Sequence, residues 1–303
     1  MAAVDFFGAM LYVITMKYSI EKFGLRVEAD CVGAELTSVK VDGKEMLWQN
    51  DNGGWSGHAP ILFPVCGNCS VVSDGKNYGM PPHGFAKCST FVLVDRGDDF
   101  LRFELKSDAS TRKYYPFDFI LSTEYRIASE TSAARTLEIK FELYNSDEKS
   151  LYFAYGGHES FALDKDLDRY KLMFETDEDL IHLCHDGLGR LTGEKVRFGV
   201  RRELNLPERY LSEGKTLIFS GIKSSSVALA TEDGKPIARS VFGNFDNLLL
   251  WRPDGARMIC IEPWSNLPDG YSDESKEFSI KHGVFAVDPR SKAEIVRSIE
   301  YYK

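Results

Sequence analysis

The sequence predicts an all-β fold, a large antiparallel sandwich or barrel with few short helices. Short runs rich in β-branched and aromatic residues recur along the chain, among them "LRFELKS" from Leu101, "DFILSTEYRI" from Asp118, "TLIFSGI" from Thr216 and "SVALAT" from Ser226. In "LEIKFEL", Leu137, Ile139, Phe141 and Leu143 fall on one side and Glu138, Lys140 and Glu142 on the other. That period of two is the mark of a half-buried strand. The separators "DRGDD" from Asp95, "NSDEKS" from Asn145, "EDGKP" from Glu232 and "RPDGA" from Arg252 carry the residues that turns require.

Taken in order, the pattern begins at Met16. The stretch "MKYSIEKFGLRVEADCVGAELTSVKVDGKEMLW" reads as two or three strands with a turn at Asp42–Gly43. Residues 1–15, Phe6 and Phe7 included, read as an extension outside the core. From 16 to 303 there is no internal repeat and no low-complexity linker, and one domain accounts for the length.

Composition narrows the function classes. The chain is 43% hydrophobic and 27% charged, as soluble globular proteins are. A formal net charge of −9 and the absence of a lysine and arginine run argue against nucleic acid. The apolar stretch Phe6 to Thr15 is too short to span a bilayer and lacks the flanks of a signal peptide, so the expectation is a cytoplasmic protein with no membrane partner. Six cysteines, mostly far apart, fit free thiols in a reducing compartment. "CGNC", Cys66 to Cys69, has neither the βαβ context of a redox pair nor a second ligand pair for zinc, and no metal is expected.

Three stretches carry candidate chemistry. In "MPPHGFAK" the prolines Pro81 and Pro82 restrict the backbone ahead of His83, and Gly84 permits close approach. That suits a positioned hydrogen-bonding imidazole, or else a loop histidine satisfied by its own backbone. In "YFAYGGHESF", Gly156 and Gly157 mark a bulge or a place where a ligand comes near, with His158 at that approach; an exposed turn histidine is the other reading. In "RMICIEPWSNLPDG", alternation puts Glu262 on the face of Met258 and Cys260. A carboxyl desolvated in such a strand acquires a raised pKa and becomes a usable base near neutrality.

The three together resemble the aldose 1-epimerase (galactose mutarotase-like) family, and within it the LacX-like branch. The family pattern is "HGFAR", "GGHPAF" and "IEPW" in this order; here they stand as "HGFAK", "GGHESF" and "IEPW". The resemblance extends to "GAELTSV" at Gly33, "APILFPVCGN" at Ala59 and "YYPFDFILSTEYRI" at Tyr114, and so covers nearly everything from Met16 onward. It implies an antiparallel β-supersandwich, a sugar-binding cleft, no cofactor and a monomer or homodimer. It implies a reaction, too, the exchange of α and β anomers of a free aldose. Glu262 would take the proton of the C1 hydroxyl, His158 would protonate the ring oxygen, and His83 would orient the sugar. Trp264, Phe161 or Trp55 would floor a sugar face or else belong to the core. Asn68 and Lys87 stand where the family carries arginines, which removes one charge and both planar forks from the substrate-orienting residues. A non-catalytic sugar-binding or regulatory protein, or an accessory domain of similar fold, is the alternative.

Overall fold

The computed structural model describes residues 16–51, 54–243 and 245–303. The expectations for residues 1–15 lie outside the described residues. Among the described residues the helical segments are 3-10 turns of three residues, and no helix is long and apolar enough to cross a membrane.

The period-two runs form strands because alternation gives each a dry face. Leu137, Ile139, Phe141 and Leu143 are fully buried in the strand Ala134–Asn145, which pairs antiparallel with Phe119–Glu130 on one side and Lys292–Tyr302 on the other. These belong to a thirteen-stranded sheet. From edge to edge it runs Glu159–Ala162, Met258–Trp264, Asn247–Trp251, Leu217–Ser220, Tyr170–His185, Ser226–Thr231, Pro236–Val241, Lys292–Tyr302, Ala134–Asn145, Phe119–Glu130, Phe100–Lys106 and Val92–Arg96. Leu191–Asn205 joins Tyr170–His185 off this path as the second arm of a long hairpin.

Where two or three amino-terminal strands are expected, four form, Lys17–Lys22, Leu25–Asp30, Leu36–Val41 and the two-residue Lys44–Glu45, in a separate four-stranded sheet. Asp42 and Gly43 both have positive φ, 47° and 87°, as a two-residue hairpin turn that follows the strand twist requires. A sheet of thirteen twisted strands does not stay open and flat. One continuous apolar core takes Phe103, Phe141, Leu229 and Leu250 from the large sheet and Val27 and Val39 from the small one.

One strand places the site. All seven residues of Met258–Trp264 are buried, on two distinct sides. Ile259 and Ile261 enter the main core. Met258 and Cys260 pack on the opposite side with Trp48 and Ala256, and Glu262 shares that side by alternation.

Candidate active site

The pairing register draws a line of four side chains across the sheet. Glu159 lies opposite Ile261, so one step back along the same register sets His158 across from Glu262. Glu262 in turn faces Leu249, and Leu249 faces Ile218. These four floor a cleft of about 330 Å³, walled by Trp55, Trp251 and Trp264 and by segments carrying Asn68, His83, Lys87 and His185. The six sequence candidates Glu262, His158, His83, Asn68, Lys87 and Trp264 therefore line one cavity.

The two prolines before His83 have a local explanation. The Gly84 N–H donates to the Pro81 carbonyl at 2.9 Å, and His83 has φ of 64°. Pro82 and His83 are thus the two central residues of a turn that needs proline-like φ first and positive φ second. A histidine pays about 1–2 kcal/mol for that backbone region, and two contacts hold it there. Its N–H donates to the Gly67 carbonyl at 2.9 Å, and its Nδ1 accepts the Gly67 N–H at 3.1 Å. With Nδ1 an acceptor, the neutral ring carries its proton on Nε2.

Gly84 is required twice over. Its φ is 75°, and a Cβ would fall 1.9 Å from the Phe63 carbonyl oxygen. That carbonyl accepts the N–H groups of Phe85 and Ala86, at 3.2 and 3.3 Å. Gly84→Ala is expected to destabilise the protein by well over about 1 kcal/mol, since both strain and displacement of this backbone are involved. Urea unfolding measures it; an unchanged midpoint would mean that the turn is not held by Phe63.

The glycines before His158 also mark close packing. A Cβ on Gly156 would meet Trp264 Cδ1 at 2.6 Å and Cys66 Sγ at 2.8 Å. On Gly157 it would meet Glu159 Oε2 at 2.6 Å and Arg297 Cζ at 2.7 Å. His158 is fixed from above by aromatic rings: Trp55 stacks on it, centroids 5.1 Å apart at 28°, and Trp251 and His83 meet it edge-on at 5.9 and 5.4 Å.

His158 Nε2 lies 3.5 Å from Glu262 Oε1, beyond the 2.7–3.2 Å range of a good N–H···O bond. Neither group fully satisfies the other, so both are available to a ligand. His158 Nδ1 is buried and has no hydrogen-bond partner. Burial pushes the His158 pKa down to about 3. Burial, with the negative charge of Glu159 adding to it, raises Glu262 well above the usual carboxylate range, while the Trp264 indole acts in the opposite sense. His83 is held well below the ordinary histidine value by burial, then by His158 and Lys87. The dry cleft thus favours uncharged side chains.

The flanking candidates are partly committed to the protein itself. Asn68 donates its amide N–H to the Leu188 carbonyl at the tip of the long hairpin. Lys87 Nζ donates to the Pro82 carbonyl at 2.7 Å, bracing the His83 turn, and burial lowers its pKa. Phe161 belongs to the main core on the far side of the sheet, not to the cleft. Cys66 and Cys69 are free and buried, with pKa values pushed upward by burial.

The sequence reading passes over His185, Thr216 and Trp251, which also line the cleft. His185 accepts the Thr216 N–H on Nε2 at 3.2 Å, and its Nδ1 lies 2.9 Å from the Asp186 carbonyl, so the ring offers the cleft an apolar edge more than a free donor. Its one local signal is "HDGLG", a strand running straight into a glycine turn.

A buried imidazole and carboxyl thus stand side by side in an aromatic-walled cleft, on a large antiparallel β-sheet fold. The sequence pattern of the family described as aldose 1-epimerase matches residues 16–286, and the chain belongs to that family. It is 28% identical over 263 residues to the chromosomal protein LacX of Lactococcus lactis subsp. lactis, covering 80% of this chain and 85% of that protein. A galactose mutarotase-like protein from Lactobacillus casei superposes with a TM-score of 0.83 at 25% identity, over 94% of this chain and 99% of that one. A galactose mutarotase related enzyme from Lactobacillus acidophilus does so at 0.84 and 24%, over 95% and 97%.

Proposed function

We propose that the protein interconverts the α and β anomers of a free aldose, with Glu262 as base and His158 as acid. The observation that carries this reading is the 3.5 Å approach of His158 Nε2 to Glu262 Oε1 on the floor of the cleft. Ring opening needs a proton removed from the C1 hydroxyl and another delivered to the ring oxygen. A carboxylate and an imidazolium side by side supply one of each, and each well-placed group contributes roughly 10²–10⁴-fold.

The electrostatics support the direction of transfer. With the ring closed, the productive pair is Glu262 carboxylate and His158 imidazolium. After opening, Glu262 holds the proton and His158 is neutral. That is the uncharged state burial favours, so proton transfer relieves the cost of an ion pair in a dry site. Rotation about the C1–C2 bond turns the other face of the aldehyde to the C5 hydroxyl. Reclosure returns both protons and delivers the other anomer. His83, its proton on Nε2, donates to the ring oxygen or an adjoining hydroxyl, and Trp264 supplies apolar surface to the sugar.

Among the described residues lining the cleft, Lys87 is the one lysine or arginine, and its ammonium already donates to Pro82. That favours a neutral sugar over a phosphorylated one. Anomer exchange of freshly dissolved α-galactose, α-glucose, pentoses and glucose 6-phosphate, followed by polarimetry or NMR, tests the reading. Acceleration is expected for neutral sugars and less for the phosphate ester. Sugar binding without acceleration would assign the fold to a binding role instead, the reading that Asn68 and Lys87 in place of arginines favour.

A further inference from the structure

We infer that His158, Cys260 and Glu262 form a binding site for a thiophilic divalent cation, zinc being the best fit, whose occupancy blocks the cleft. One donor atom from each of the three lies within 4.8 Å of the others, and all three residues are buried. Cys260 and Glu262 are two residues apart on one strand and therefore share a side of the sheet, with His158 across from them. His158 turns Nε2 toward Glu262 at 3.5 Å, too long for a good hydrogen bond, so that nitrogen is the imidazole donor the site would use.

The donor set selects the metal. One imidazole nitrogen, one thiolate and one carboxylate suit Zn²⁺ better than Mg²⁺ or Ca²⁺, which demand oxygen. Zinc–nitrogen and zinc–sulfur bonds of about 2.0–2.1 and 2.3 Å place donors roughly 3.3–3.6 Å apart. The donor atoms already lie within 4.8 Å of one another, so a shift of about 1 Å brings them to that spacing, with Glu262 at the border of the cleft and His158 held by its aromatic neighbours. The fourth position then faces the cleft, where water or a sugar hydroxyl fills it. On binding, the Cys260 thiol proton and any proton on Glu262 pass to solvent, and the metal takes their place.

Binding itself is independent of the proposed reaction; the loss of turnover rests on that reading, because the metal occupies the acid and base. The test titrates the purified protein with CoCl₂, a spectroscopic stand-in, followed by displacement with ZnCl₂, in wild type, Cys260→Ala and the nearly isosteric Cys260→Ser. A cobalt–thiolate charge-transfer absorption is expected in wild type and in neither variant. Zinc binding should weaken at least about 100-fold in both, the upper end of what loss of an outer partner alone would cost. In anomer exchange, zinc should inhibit wild type and largely spare the variants, with chelator restoring activity. No thiolate band at saturating cobalt, or equal zinc affinity in wild type and variants, would overturn the site. A wild-type band in a protein that accelerates no sugar would support the site and reject the epimerase reading.

Discussion

Glu262→Gln is expected to slow anomer exchange by about 10²–10⁴-fold while leaving the fold and sugar binding close to wild type. The two halves of this expectation come from different facts. Glu262 is 2% exposed, and burial raises its pKa well above the carboxylate range. Glutamine has nearly the same shape and no charge, so no orphaned charge is left in the buried position, and the His158 contact it alters is a loose one at 3.5 Å. What it cannot do is accept a proton from the C1 hydroxyl. The loss should therefore appear in kcat, with KM little altered, because the missing interaction belongs to the transition state. Polarimetry on a fresh anomer and urea unfolding on the same preparation separate the two. Full activity in a folded Glu262→Gln protein would remove Glu262 from the role of base, and a fall in stability of several kcal/mol would mean that the carboxylate is structural.

The contrast between what could and could not be read from the sequence has a physical basis. The alternation of Leu137, Ile139, Phe141 and Leu143 is enough to announce a strand, because a period of two is a local property. The Asp42–Gly43 turn is legible for the same reason: positive φ at two successive residues restricts the residue types. The convergence of His83, His158 and Glu262 is not local. It depends on Glu159 pairing with Ile261 and on the His83 turn docking against Gly67, over sequence separations that no motif encodes. Trp251 and His185 reach the cleft only through strand order, and nothing in their neighbourhoods marks them beyond one glycine turn. Phe161 illustrates the converse. It lies close to His158 in sequence, yet alternation sends it through the sheet to the core.

The same alternation puts a charge beneath the site. Glu159 follows His158 and points into the sandwich interior, where Arg297 on the strand Lys292–Tyr302 donates to it through Nη2. Arg297 Nε also donates to the Tyr155 hydroxyl at 3.1 Å. Both members of the pair are buried, Glu159 completely and Arg297 to 5% exposure. Arg297→Met is expected to lower stability by about 3–5 kcal/mol, because it strands a carboxylate in an apolar interior. It should also lower activity in the protein that still folds. Gly157, the residue before His158, lies directly over the guanidinium, so movement of this pair moves the backbone that carries His158.

The double variant Glu159→Leu with Arg297→Met separates the causes. Two apolar side chains of similar bulk remove the orphaned charge, and replacing a whole buried pair is often neutral or stabilising. Most of the stability lost in Arg297→Met should return, read as a coupling energy in a double-mutant cycle by urea unfolding. A double variant as unstable as Arg297→Met would place the cost in packing around the guanidinium rather than in the buried carboxylate. Recovered stability without recovered activity would mean that the ion pair, and not merely a filled volume, sets the position of His158 against Glu262.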